Sequence, residues 1–408
     1  MNKICVILSA IYILNVSYGL QCQVFTTFNS QNSGIPFNTV RCLEKQGNDL
    51  WIGTDAGLAK FSNNTWEVFS ASNSPLFSDN IRALKSEGDS VLWIGTVGGG
   101  LFSFNGGEWV NFNISNSGLQ DNLVRDINID LHENIWLATT EGIFMYDRNE
   151  WHHWNMQDSN LLSNNITSIQ IGLNDEKYIG TINGGIIYFD SLNHFTTYTI
   201  SNSGLPDNSV TAIEIDENGF PWFLSPAAGL VNDTDFGGPW LNFNNFNSDL
   251  PANTLKCLRI TGSEIVVGSE SSGLIFKNGE TWSQFSTSNS ALPDNHILSI
   301  EIDDEYNIWV GTHNEGLCKI NLQNSISENH DSQINFYPNP VKSGSEIHFN
   351  RKTTGHISLC NKLGQFIDID HNYNGDNYEI PKNMQPGIYV IKLLESGHLL
   401  NKKILVTD

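Results

Sequence analysis

Four basic side chains recur at one place in a repeated pattern: Arg41, Arg82, Arg125 and Lys256. Thr167, Thr211 and Leu298 fill the same place in the other copies. A guanidinium presents a planar fork of donors that matches carboxylate or sulfate. Residues 22–322 hold 12 basic side chains against 35 acidic ones, so four of the 12 in one column is a concentration. The column predicts a cationic rim for an anion such as a uronic or sulfated sugar. The competing reading pairs each cation with a neighbouring aspartate, such as Asp79 or Asp121, or with loop carbonyls, because buried charge must be compensated.

His296 and His313 are expected on one face with Glu315 and Arg41, where they could bind a ligand or serve as an acid/base pair. Two histidines on surface loops are equally ordinary, so no catalytic residue is assigned and the chain is read as a non-enzyme. Cys42 and Cys257 align with Ala83, Asp126, Ser168, Ala212 and Ser299, a small-residue position, and read as buried fillers. His152 and His153 are strand neighbours that point to opposite faces, which argues against a shared metal. The acidic turns Asp130–Asn134, Asp216–Gly219 and Asp303–Asn307 lack the spacing of an EF-hand. Neither metal nor cofactor is expected.

The elements that position these residues are repeats. Trp51-Ile52-Gly53-Thr54 recurs with tryptophan or a substitute at 93, 136, 178, 222, 266 and 309, at spacings of 42 to 44 residues. Each copy follows a short apolar strand and precedes a turn and a further strand. Six copies then add a strand with paired aromatics, from Trp66/Phe69 to Trp282/Phe285. The seventh lacks it, and Phe25-Thr26-Thr27-Phe28 at the other end of the chain supplies the missing piece. Four strands per unit of about 43 residues predicts an all-β, seven-bladed β-propeller over 20–322, closed by its N-terminal strand. Polar loops such as Ser201-Asn202-Ser203-Gly204-Leu205 join successive units, with the leucine as anchor. The hydroxyl that ends each Trp-Ile-Gly-Thr copy, from Thr54 to Thr312, reads as a structural hydrogen bond.

These motifs resemble the two-component regulator propeller repeat, common in Bacteroidetes, across residues 23–322. In that family the propeller usually forms the periplasmic sensing half of a hybrid histidine kinase. No second membrane helix or kinase region is expected here, so the signalling role does not carry over.

Residues 1–19 read as a secretory signal peptide, with Lys3 ahead of an apolar run and Gly19 before the cut. Five cysteines remain after it, an odd count at irregular spacing that is no disulfide framework. Residues 323–332 read as a polar linker and 333–408 as a small Ig-like β-sandwich, with strands at 346–350, 356–361, 387–394 and 399–406. The tail resembles the type A sorting domain of the type IX secretion system, through Tyr337, Pro338, Asn339, Pro340, Gly387, Tyr389 and Lys402. That resemblance implies the type IX machinery as a partner, and a secreted or cell-surface location after periplasmic transit. A net charge of −23 disfavours nucleic acid. The expectation is a monomeric propeller that binds an extracellular glycan or protein. A polysaccharide lyase acting on acidic glycans, or a structural adhesion component, is the alternative.

Overall fold

The computed structural model describes residues 24–407, apart from 160, 193, 234–239, 263, 322–335, 361–365, 383 and 396–397. The expected leader and linker lie outside the described residues. Two compact units divide between Leu322 and Gln323. All regular structure described is β, and no described helix is long and apolar enough to cross a membrane.

The first unit comprises seven four-stranded antiparallel sheets. Six are built from consecutive strands. The seventh joins Ile297–Ile302, Ile308–Thr312 and Leu317–Asn321 to Val24–Phe28 from the other end of the unit. The pairing that Phe25 and Phe28 predict is thus present, with Phe28 opposite Leu317. Each innermost strand touches that of the next sheet, and Val40–Gln46 of the first touches Ile297–Ile302 of the seventh.

The repeated glycine explains how closely the sheets approach. A Cβ on Gly53 would lie 2.7 Å from Ile81 of the next sheet, and one on Gly311 would lie 2.6 Å from Val40 of the first. The aliphatic residue that opens each innermost strand leans into this gap, and Val40, Ile81, Val124, Ile166, Val210 and Ile297 are fully buried. The loop leucines behave as the sequence predicts. Leu205 is buried, while Asn202 and Asn208 accept from the backbone N–H groups of Thr199 and Ile200.

The hydroxyl column is consumed within its own turns: Thr54, Thr96, Thr139, Thr181, Ser269 and Thr312 each donate to a carbonyl three or four residues on. Ser225 donates to Asp207 instead. The acidic turns are occupied too. Asp130, Asp216 and Asp303 each accept backbone N–H groups of their own turn and the indole N–H of the tryptophan six residues later, at 2.8, 3.2 and 2.9 Å.

The second unit departs from expectation. The strands expected at 346–350 and from 356 onward are not separate but parts of one, Glu346–Cys360, which pairs with Gly387–Glu395. Phe366–Glu379 is a further strand, which the sequence hides because polar residues from Asp368 to Asn377 break the apolar alternation. All strands of the unit are joined in one hydrogen-bonded sheet, whose core includes Ile347, Phe349, Leu359, Tyr389, Ile391 and Ile404.

Candidate functional site

The innermost strands line a cavity of about 730 Å³. Two tiers of side chains, three residues apart in sequence, face it. The upper tier is the basic column with Thr167, Thr211 and Leu298. The lower tier is Glu44, Lys85, Asn128, Gln170, Glu214, Arg259 and Glu301.

A backbone irregularity sets the upper tier. The ladder shifts register between Val40 and Cys42, Ile81 and Ala83, Ile166 and Ser168, Leu255 and Cys257, and Ile297 and Ser299. The residue inserted each time is the column residue: Arg41, Arg82, Thr167, Lys256 or Leu298. A bulge re-aims its extra side chain out of the alternation, which explains how this residue reaches the cavity while both neighbours stay in the sheet. The sequence shows the column but not the bulge.

The cations of this tier differ in their partners. Arg41 forms a two-point pair with Asp55, Nε to Oδ1 at 2.8 Å and Nη2 to Oδ2 at 2.7 Å. That bond holds the Asp55 carboxyl below its usual range against the opposing effect of burial. Lys256 meets Glu270 at 3.2 Å. Arg125 donates to the side-chain oxygen of Asn165 and more weakly to the Ile166 carbonyl. Arg82 has no hydrogen-bond acceptor and no carboxylate within ion-pair distance among the described residues, although it is half-buried. Burial, then the charge of Arg41, pulls its acidity constant below the ordinary guanidinium value. The expected partners Asp79 and Asp121 are engaged elsewhere, Asp79 by the Ala71 N–H and Asp121 by Leu123 and Thr140. Asp55 and Glu270 are the carboxylates that pair directly with this tier, at Arg41 and Lys256, while Asp121 acts on Arg125 through its charge without a direct pair.

His296 and His313 do come together, with rings parallel and centroids 4.6 Å apart. His313 donates its backbone N–H to the His296 carbonyl, and its Nδ1 lies 2.9 Å from Asn314 Oδ1. The buried Nε2 of His296 has no hydrogen-bond partner among the described residues. Burial, then His313 and Lys256, lowers its pKa.

The lower tier was missed, yet its signal was present: a polar residue follows an apolar one at the same place in all seven copies. Asn128 donates to Gln170 at 2.6 Å, Gln170 to Glu214 at 3.3 Å, and Arg259 bridges Glu214 and Glu301 at 3.7 and 3.2 Å. Glu44 accepts from the backbone N–H and hydroxyl of Ser86. Asp126 accepts from the N–H groups of Ile127 and Ile169, so it ties two sheets together; burial pushes its pKa up to about 6.

The remaining candidates are structural. Cys42 and Cys257 fill the space beside Gly53 and Gly268, and burial raises both thiols, Cys257 to about 12. His152 faces Asp147, and His153 stacks on Phe144. The group Asp130, His132 and Asp175 is balanced by buried Lys177, 2.9 Å from Asp175. In the tail, Tyr337, Pro338, Asn339 and Pro340 are exposed, Gly387 starts a strand, and Tyr389 is buried with its hydroxyl on the Gln385 carbonyl. Lys402 lies opposite Ile391 in the sheet, and its side chain is outside the described residues.

Residues 335–407 match the secretion system C-terminal sorting domain, and residues 291–314 match the two component regulator propeller. The chain carries both modules. Among solved structures, it is similar to the extracellular domain of the hybrid two component system BT3049 of B. thetaiotaomicron, with 19% identity and a TM-score of 0.63. That match covers 94% of this chain and 57% of the other. PorZ, an essential surface component of the type-IX secretion system of Porphyromonas gingivalis, is similar at 16% identity and a TM-score of 0.59, over 94% of this chain and 61% of that one. Virginiamycin B lyase of Staphylococcus aureus is similar at 11% identity and a TM-score of 0.59, over 74% of this chain and all of its own. The chain thus spans about three fifths of the length of the first two. At these identities the likeness is one of fold, the β-propeller. No curated protein matches the sequence. The sorting domain marks this as a propeller protein exported by the type IX route.

Proposed function

We propose that the seven sheets are the blades of one ring closed by the N-terminal strand, and that the sorting domain delivers this ring to the cell surface as a non-catalytic binding module. Its ligand is an extracellular glycan or protein, held at the cavity mouth. The observation that carries this reading is the contrast between two columns of the repeat. The turn hydroxyls are nearly identical in every sheet and spend their hydrogen bonds internally. The mouth residues differ from sheet to sheet, and one of them, Arg82, has no acceptor among the described residues. Sameness with internal satisfaction is what a scaffold needs; difference with unused donors is what recognition needs.

The second reading is a lyase acting on an acidic glycan. It is favoured by the stacked His296–His313 pair beside this mouth. The test is a screen of the full chain against polysaccharides and surface proteins, with binding and ultraviolet absorbance of unsaturated products followed together. Binding without new absorbance supports the module. Absorbance that rises and is lost in His313→Ala establishes the lyase instead.

A further inference from the structure

Resting on the binding reading, we infer that the mouth is a site for a single carboxylate or sulfate group of an acidic polysaccharide, gripped by Arg82 between Arg41 and Arg125. Three guanidinium groups stand on consecutive sheets; the charges acting on Arg82 include Arg41, Arg125 and the carboxylate Asp55, and Asp121 acts on Arg125. Arg41 already uses Nε and Nη2 on Asp55, and Arg125 is steered toward Asn165. Arg82 therefore has the full fork of donors to offer, and an anion there would supply the acceptors that the described residues do not.

The placement is one-sided. Across the mouth from the three arginines, Thr167 and Thr211 bond to the Val210 and Leu224 carbonyls, and Lys256 is neutralised by Glu270. The cationic crescent thus covers only the first three sheets and orients whatever binds. Depth is limited as well. The lower tier lies three residues along the strands, about 10 Å further in. It carries Glu44, Glu214 and Glu301 against Lys85 and Arg259, with Arg259 already held by Glu214 and Glu301, so its excess charge is negative and disfavours an anion. One charged group enters to the first tier and stops, while the rest of the polymer stays outside. Excess negative charge over the whole chain makes this local reversal of sign selective, since a polyanion gains attraction only here.

The experiment is titration of the full chain by calorimetry with polygalacturonate as the carboxylate probe, dextran sulfate as the sulfate probe and neutral dextran as the control. The expected result is binding to one or both acidic polymers that weakens as salt rises. Arg82→Ala should lose at least about tenfold in affinity, and Arg82→Lys, which keeps the charge without the fork, should fall between. Lys60→Ala, which removes a surface cation paired to Asp49 elsewhere, should bind as the wild type does. An unchanged thermal transition of Arg82→Lys separates loss of the site from loss of the fold. Acidic polymers that fail to bind, or that bind Arg82→Ala equally well, overturn the inference. If a neutral glycan or a protein binds while the acidic polymers do not, the anion site falls and the binding module stands.

Discussion

Replacing Arg259 with methionine should remove the one cation that holds Glu214 and Glu301 together, and the loss should depend on pH. Burial opposes the charge of Arg259, but Glu301 and Glu214 outweigh it and raise its pKa, while burial raises those of both carboxyls. Breaking a dry buried pair costs about 3–5 kcal/mol. The cavity admits water here, since the Arg259 side chain is 34% exposed and the two glutamates 18% and 15%. The expected deficit is therefore smaller, about 2 kcal/mol near neutral pH. A carboxyl whose folded pKa is raised contributes stability below its unfolded pKa and loses it as pH rises through the folded value. In the variant both folded values climb further, so the deficit relative to wild type should grow from roughly pH 5 to pH 8. Urea unfolding followed by tryptophan fluorescence is the assay, because all eleven tryptophans lie between Trp51 and Trp309, within the propeller. A deficit under about 0.5 kcal/mol at the higher pH, or an equal one at both, would refute the reasoning.

Asp303→Ala removes the acceptor for the Trp309 indole and for two turn N–H groups, and should lower stability by about 2 kcal/mol in the same assay. Gly185 has φ +84°, and a Cβ there would lie 2.0 Å from the Tyr198 carbonyl oxygen, so Gly185→Ala should cost about 2 kcal/mol or more. Cys42, Cys257 and Cys318 carry thiols raised by burial. Peptide mapping after alkylation at mildly alkaline pH should find them unmodified in the folded protein and modified in urea; labelling in the folded state would contradict their role as fillers.

Repetition made most of the propeller legible in the sequence. Seven copies of one unit let each position be compared with six equivalents, so the small-residue column, the anchoring leucines and the displaced strand at Phe25–Phe28 could be read directly. The same comparison found the cationic column. The tail offered no such internal alignment, and its strand Phe366–Glu379 went unread because its run of polar residues leaves no apolar alternation.

Partner choice was decided only by tertiary structure. Arg41 pairs with Asp55, fourteen residues on, and Arg125 with Asn165 on the next sheet, while Arg82, also an arginine, has no partner among the described residues. The physical reason is that a column fixes which residue faces the cavity, whereas compensation of a charge depends on what stands within a few ångströms of it: a turn of its own sheet for Arg41 and Lys256, a loop of the next sheet for Arg125. Periodicity determines the first, because the strand and its bulge repeat. It determines the second only in part: Asp55 and Glu270 stand directly after the turn hydroxyl, where the copy holding Arg82 has Val97, but Asn165 reaches Arg125 from another copy. The arrangement of acceptors around three like arginines, and with it the site, exists only once the sheets have met.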